Sequence, residues 1–165
     1  MTQDILRIIM QLNFLSTILM SDKKIYNILG VIPARGGSKA IEKKNIALIN
    51  DHSIISYTIG EAKKTKLISD LIVSSDDNEI RAVAIQYGCE SPFKRPDHLS
   101  NDTAVSVDCD LHAVKFMEEK LNKKYDFVIE LMCTNPFKTV EDIDNVLNIH
   151  IETKSETVIS VMKLE

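Results

Sequence analysis

Tryptophan is absent from the sequence, and aromatic residues of all kinds make up only 5% of its 165 positions. Lysine and arginine total 20 against 24 aspartates and glutamates, which leaves a formal charge of −4 at neutral pH. A chain short of both stacking side chains and positive charge is a poor general binder of nucleic acid; that class is excluded, while a mononucleotide remains open. Cysteine is scarce and odd in number: Cys89, Cys109 and Cys133 stand far apart, with no Cys-x-x-Cys pair. Neither a disulfide framework nor a zinc knuckle fits that spacing, and buried, reduced thiols in a cytoplasmic protein are the expected state. His52, His98, His112 and His150 form no metal-ligand spacing either.

Long apolar runs are also missing. The stretch from Ile8 to Met20 is broken by Gln11, Asn13, Ser16 and Thr17 and has neither a basic leader nor a small-residue cleavage site, so no membrane span and no secretory signal is expected. Residues 1–24 read as an N-terminal extension, with Met20 as a candidate start, or as an amphipathic helix packed on the domain; both stay open. Residues 25–165 read as one domain, large enough to bury most of its apolar surface.

Glycine occurs only five times, yet two copies are adjacent, in the stretch from Val31 to Asn45. There an apolar strand runs into a basic loop, Ala34-Arg35-Gly36-Gly37-Ser38-Lys39, followed by Lys43, Lys44 and Asn45. Arg35, Lys39, Lys43 and Lys44 against Glu42 give four positive charges and one negative, a local +3 in an acidic chain. Gly36 and Gly37 permit backbone angles closed to other residues and put no Cβ in the way of a ligand, so the loop is a candidate anion site. A charged surface turn is the plainer alternative, because neither standard glycine fingerprint for phosphate is present.

Periodicity supplies the frame. Ile28 to Pro33 reads as a buried strand, Ser53 to Lys64 as a helix capped by Ser53, and Leu71 to Val73 as a second strand. Ile80, Val83 and Ala84 mark a helix closed by Gly88, and Glu90 to Phe93 a short third strand. Leu111, Val114 and Leu121 suit one face of a long helix from about Ala104, and Phe127 to Met132 a fourth strand. Thr139 and Asp142 form a capping-box pattern before a helix carrying Ile143, Val146 and Leu147, and Thr157 to Val161 reads as a fifth strand. Such alternation predicts an α/β fold with a mostly parallel sheet covered on both faces. Ligands bind at the carboxyl ends of such strands, and three candidate loops share that edge: the basic loop, Ser75-Asp76-Asp77, and Cys133 to Lys138. Asp76 and Asp77 are read first as helix caps and second as metal ligands. The polar loop from Arg95 to Asp102 is too long for a tight turn and reads as a functional lid.

Five ordered motifs carry a resemblance. These are Ile32 to Lys39 with Lys44-Asn45; Val73 to Asp77 with Glu79-Ile80; Arg95-Pro96 with Leu99; Asp102-Thr103 with Ser106; and Thr134 with Pro136 before Glu141-Asp142-Ile143. Together, over about Tyr26 to Val161, the sequence resembles the acylneuraminate (sialic acid) cytidylyltransferases. The resemblance implies a Rossmann-like three-layer nucleotide-diphospho-sugar transferase fold, CTP and an acidic nine-carbon sugar as substrates, Mg²⁺, and CMP-sugar plus pyrophosphate as products. It further implies that Arg35 and Lys44 neutralise the triphosphate and are the catalytic pair. Ala34, Gly36, Gly37, Ser38, Lys39, Asn45, Arg95 and Ser106 would hold the nucleotide, with Arg95 near base or ribose. Met132, Thr134 and Lys138 would face the sugar.

Departures from the family pattern accompany the matches. Where the family commonly has Gln-Pro-Thr-Ser-Pro-Leu-Arg, this chain has Met132 to Lys138, and Met132 cannot replace the hydrogen bonds of a glutamine amide. Ala40 and Glu42 replace the usual glycine and proline of the first loop. The family's dimer contacts and a pair of metal-binding aspartates lie in a later segment with no counterpart before Glu165, so a truncated domain is expected, with Asp76 and Asp77 as substitute metal candidates. Three readings follow: an enzyme for N-acetylneuraminate or a similar nonulosonate, an enzyme for another sugar acid such as pseudaminate or legionaminate, and a non-catalytic nucleotide-binding remnant.

Overall fold

The computed structural model describes residues 24–37, 41 and 43–161. In chain order it runs β1 (Ile28–Pro33), β2 (Leu48–Ile49), β3 (His52–Ser53), α1 (Ile54–Ala62), β4 (Asp70–Ser74), α2 (Asn78–Gln86), α3 (Ser106–Leu121), β5 (Phe127–Glu130) and α4 (Val140–Thr153). Single 3-10 turns occupy Lys44–Ile46 and Asp97–Leu99.

β1 is central because it can be buried on both faces. Its alternate residues Ile28 and Ile32 pack against Ile55 and Ile59 of α1, Ile80 and Ala84 of α2, and Ile143 and Leu147 of α4. Leu29 and Val31 point the other way, onto Phe93 and onto Ala113 and Met117 of α3. The result is three layers, with helices on both faces of a three-stranded sheet in the order β4-β1-β5. Both pairings are parallel, Val31 lying opposite Ile72 on one side and Glu130 on the other. The chain goes to one side of β1 for β4 and to the other for β5, which makes the carboxyl end of β1 a switch point where loops diverge and leave a crevice.

Local signals hold where the chemistry is local. Asp77 caps α2, its Oδ1 accepting from the N–H groups of Glu79 (2.7 Å) and Ile80 (3.1 Å). Gly88 follows that helix with φ +72°, where a side chain would be strained. Thr139 and Asp142 close the capping box on α4.

Other expectations are corrected. Glu90 to Phe93 makes only isolated parallel bridges, Ile72 with Glu90 and Ser75 with Lys94, because Pro92 has no N–H to continue the ladder. Thr157 to Val161 is not a strand: Ile159 and Val161 are exposed, and no described strand pairs with the segment. α3 turns Cys109, Ala113 and Met117 inward with the half-buried Val114 packed against them, while Leu111 and Leu121 are exposed, so of the face inferred from its larger aliphatic residues only Val114 reaches the core. Ser53 sits at the start of α1 but makes no side-chain cap; the first amide, Ile54 N–H, bonds instead to Ala47 O at 2.9 Å. That contact belongs to the β2–β3 hairpin, which turns at Asn50 and Asp51, both in the left-handed region, and which periodicity did not signal. The proposed N-terminal extension lies, apart from Lys24, outside the described residues.

Candidate nucleotide site

Where β1 ends, the chain is pinned from three directions. Ala34 N–H donates to Ser74 O (3.0 Å), the Gly36 N–H to Asp76 Oδ1 (3.0 Å), and the buried Asn45 donates its amide to Arg35 O (3.0 Å). The basic loop is thus shaped by the turn after β4 and by the Lys44–Ile46 turn. Gly36 is needed for close approach, since a Cβ there would lie 2.8 Å from both Cβ and Oδ2 of Asp77. A Cβ on Gly37 would meet nothing within 4 Å. Gly36→Ala is therefore expected to cost about 1–3 kcal/mol of stability, as overpacking does, whereas Gly37→Ala stays within roughly 0.5 kcal/mol of wild type; urea melts distinguish them.

The charges around this loop are arranged in pairs. Arg35 meets Asp102, on the loop before α3, at 2.9 Å. Lys43, in the left-handed region, pairs with Glu79 of α2. Arg95 is buried; its Nε donates to Ser100 Oγ (3.2 Å), its backbone N–H to Ser75 O (2.8 Å), and a terminal nitrogen lies 3.8 Å from the same Asp76 oxygen that receives Gly36. One carboxylate oxygen so joins the basic loop to Arg95.

Asp76 and Asp77 are accordingly engaged in building the rim. Among the described residues no three His, Cys, Asp or Glu side chains are grouped to hold a metal ion. No all-protein cage for the Mg²⁺ that the resemblance implies is therefore present among the described residues.

The loop after β5 lies beside the basic loop. Leu131 N–H continues the sheet to Val31 O at 2.8 Å, and Met132 and Thr134 then stand exposed. Cys133 is buried, which pushes its thiol up to about 12; the positive charges of Lys138 and Lys44 act on it in the opposite direction. It is not a nucleophile. Lys138, read from the resemblance as sugar-facing, is held at the base of this loop. Its ammonium donates to Thr58 Oγ1 (2.9 Å), Met132 O (2.8 Å) and Asn135 O, and burial holds its pKa down. It ties the loop to α1. Ser106, exposed, opens α3 a short way beyond Asp102; Ser38 and Lys39 lie outside the described residues.

The structure therefore brings Ala34, Arg35, Gly36, Asn45, Asp76 and Arg95 together, with Asp102 facing Arg35. Asp110 of α3, whose Oδ1 is buried without a hydrogen-bond partner, was not singled out by the sequence. An open groove of about 470 Å³ between α1 and the β5–α4 loop, lined by Tyr57, Glu61, Tyr87, Phe137 and Lys138, lies apart from these charges.

A parallel sheet with helices on both faces and its loops diverging at the carboxyl end of β1 defines the Rossmann-like three-layer class. Residues 29–165 match the cytidylyltransferase family model, and the chain belongs to that family. It is 36% identical over 135 residues to a post-translational flagellin modification protein B of Campylobacter coli, covering 82% of this chain and 57% of that protein. It is 34% identical to a pseudaminic acid cytidylyltransferase of Campylobacter jejuni, covering 83% of this chain and 59% of that protein. It is likewise 34% identical to a CMP-N,N'-diacetyllegionaminic acid synthase of Legionella pneumophila, covering 81% and 57% respectively. The chain thus spans somewhat over half the length of these curated relatives. Its fold is similar to a CMP:2-keto-3-deoxy-manno-octonic acid synthetase solved with CTP, with a TM-score of 0.64 and 21% identity over 78% of this chain and 49% of that one. Among the described residues no helix is long and apolar enough to cross a membrane.

Proposed function

We propose that this chain binds CTP and takes part in transferring CMP to the anomeric hydroxyl of a nonulosonate, releasing pyrophosphate. The observation that carries the reading is the β1 loop: a cationic turn held open by Asn45 and Asp76 at the sheet's switch point, with Arg35 beside it and Arg95 behind. Displacement at phosphorus depends mainly on positioning and on neutralising charge. Arg35 and Lys44 neutralise the phosphates, Arg95 and Asn45 orient the nucleotide, and the loop after β5 faces the sugar. Arg35 exchanges the Asp102 carboxylate for phosphate oxygens on binding. Mg²⁺ enters this reading as a counter-ion of the triphosphate rather than as a resident of the described side chains, and a cytoplasmic setting, where CTP is made, suits it.

Among sugars, pseudaminate and legionaminate are favoured over N-acetylneuraminate by one feature. Met132 is 45% exposed at the loop where the resemblance calls for glutamine, so an apolar side chain occupies a place suited to a polar sugar contact. The names of the Campylobacter jejuni and Legionella pneumophila relatives support the same choice. Calorimetry is expected to show CTP binding in preference to ATP, and equal affinities would count against the reading. Pyrophosphate release across the three sugar acids then ranks the substrates.

A further inference from the structure

Arg35 O and Gly36 N–H are the two ends of one peptide group, and each end is held by a side chain from a different part of the fold. Asn45, buried in the Lys44–Ile46 turn, donates its amide to the carbonyl at 3.0 Å. Asp76, from the turn after β4, accepts the N–H on Oδ1, also at 3.0 Å. That carboxylate is backed in turn by Arg95, whose side chain is only 4% exposed and has a terminal nitrogen 3.8 Å from the same oxygen. A peptide that precedes glycine turns over easily, because the rotation carries the next residue into positive φ, where glycine has no Cβ to clash. Gly36 is not in that state: among the described glycines only Gly88 has positive φ. Its lack of a Cβ serves the 2.8 Å approach to Asp77, so the same close packing leaves a hinge in the loop that needs restraint. Just beyond the held peptide the backbone is open, since a Cβ on Gly37 would meet nothing within 4 Å.

We propose that Asp76 is a positioning residue for the outer phosphates of the nucleotide: with Asn45 it clamps the Arg35–Gly36 peptide, and so fixes where the Arg35 side chain leaves the loop and how the backbone runs past Gly37. That a nucleotide binds here is taken from the cytidylyltransferase reading; the clamp is not. Turned over, the peptide would set its carbonyl oxygen against the Asp76 carboxylate, two acceptors facing each other in a partly buried site. An ionised carboxylate only accepts, whereas the Asn45 amide can present either its oxygen or its nitrogen. Asp76 is therefore the partner that decides which end of the peptide points which way, and Arg95 keeps its carboxylate in place.

The ratio of the Kd for CMP to the Kd for CTP reads this effect, because base, ribose and α-phosphate are common to the two ligands and only the outer phosphates differ. Calorimetry on the 165-residue chain, in one magnesium-containing buffer, is expected to show the ratio falling about fivefold or more in Asp76→Ala, as an aligned hydrogen bond to a charged phosphate oxygen is lost. Deleting a negative charge beside the rim would by itself raise the ratio, so a fall has the opposite sign to a simple charge effect. Asp76→Asn keeps an acceptor for the Gly36 N–H but no longer rejects the turned-over carbonyl, and its ratio is expected to lie between those of wild type and Asp76→Ala. Asn45→Ala frees the other end of the same peptide and is expected to lower the ratio too; it carries the test should Asp76→Ala fail to fold. Asp126→Ala, which removes a carboxylate that accepts from Asn27 N–H at the amino end of β5, keeps the wild-type ratio, since a chain that is only destabilised loses both ligands alike. An unchanged or raised ratio in Asp76→Ala, or an asparagine variant no better than the alanine one, overturns the clamp and leaves the cytidylyltransferase reading intact. A wild type that binds neither CMP nor CTP overturns both.

Discussion

Replacing Arg95 by alanine is expected to lower stability by about 3–5 kcal/mol, because it removes one partner from a buried charge cluster and leaves the others uncompensated. Arg95 meets Asp76 at 3.8 Å and Ser100 at 3.2 Å, and its charge acts on Asp110 and His112. With that cation gone, the turn after β4 and the packing of α3 on β5 both retain acids with no opposing charge. For a domain of this size the loss corresponds to a fall in Tm on the order of 10 °C. Arg95→Lys should recover part of it, since an ammonium restores the charge but cannot serve Ser100 and Asp76 with one planar fork. Thermal melts of the three proteins decide the matter, and an alanine variant within about 1 kcal/mol of wild type would show that the guanidinium is not a structural centre.

Arg35→Ala is expected to separate binding from stability. Its ion pair with Asp102 joins two side chains that are 37% and 46% exposed, and solvent-exposed pairs of this kind contribute about 0–1 kcal/mol. Tm should move little. CTP affinity should fall roughly 10- to 100-fold, since a hydrogen bond to a charged phosphate oxygen contributes about 1.5–3 kcal/mol. Calorimetry at a temperature where both proteins are folded measures the loss. An unchanged Kd would remove Arg35 from the phosphate site; an unchanged Kd together with a large loss of Tm would make the Arg35–Asp102 pair a structural brace.

Several features were determined by short-range chemistry and could be read directly from the chain. The Ile28–Pro33 strand, the Asp77 cap, Gly88 after α2 and the Thr139–Asp142 box each depend on residues within a few positions of one another. Alternation of strand and helix likewise placed the basic loop, the Asp76 turn and the β5 loop on one edge, because parallel strands share a direction. What the sequence could not specify is how groups distant along the chain meet. Pro92 lies in a segment with strand-like composition, but only its position against β4 decides whether a ladder forms there. Ala113 and Met117 of α3, not its leucines, face the sheet because these are the positions that packing against Leu29 and Val31 covers. That Lys138 ties its own loop to α1 through three oxygens is likewise visible only in the folded chain. Asp110 is an ordinary acid in the sequence; only the packing of α3 takes it from water, and that burial pushes its pKa up to about 7.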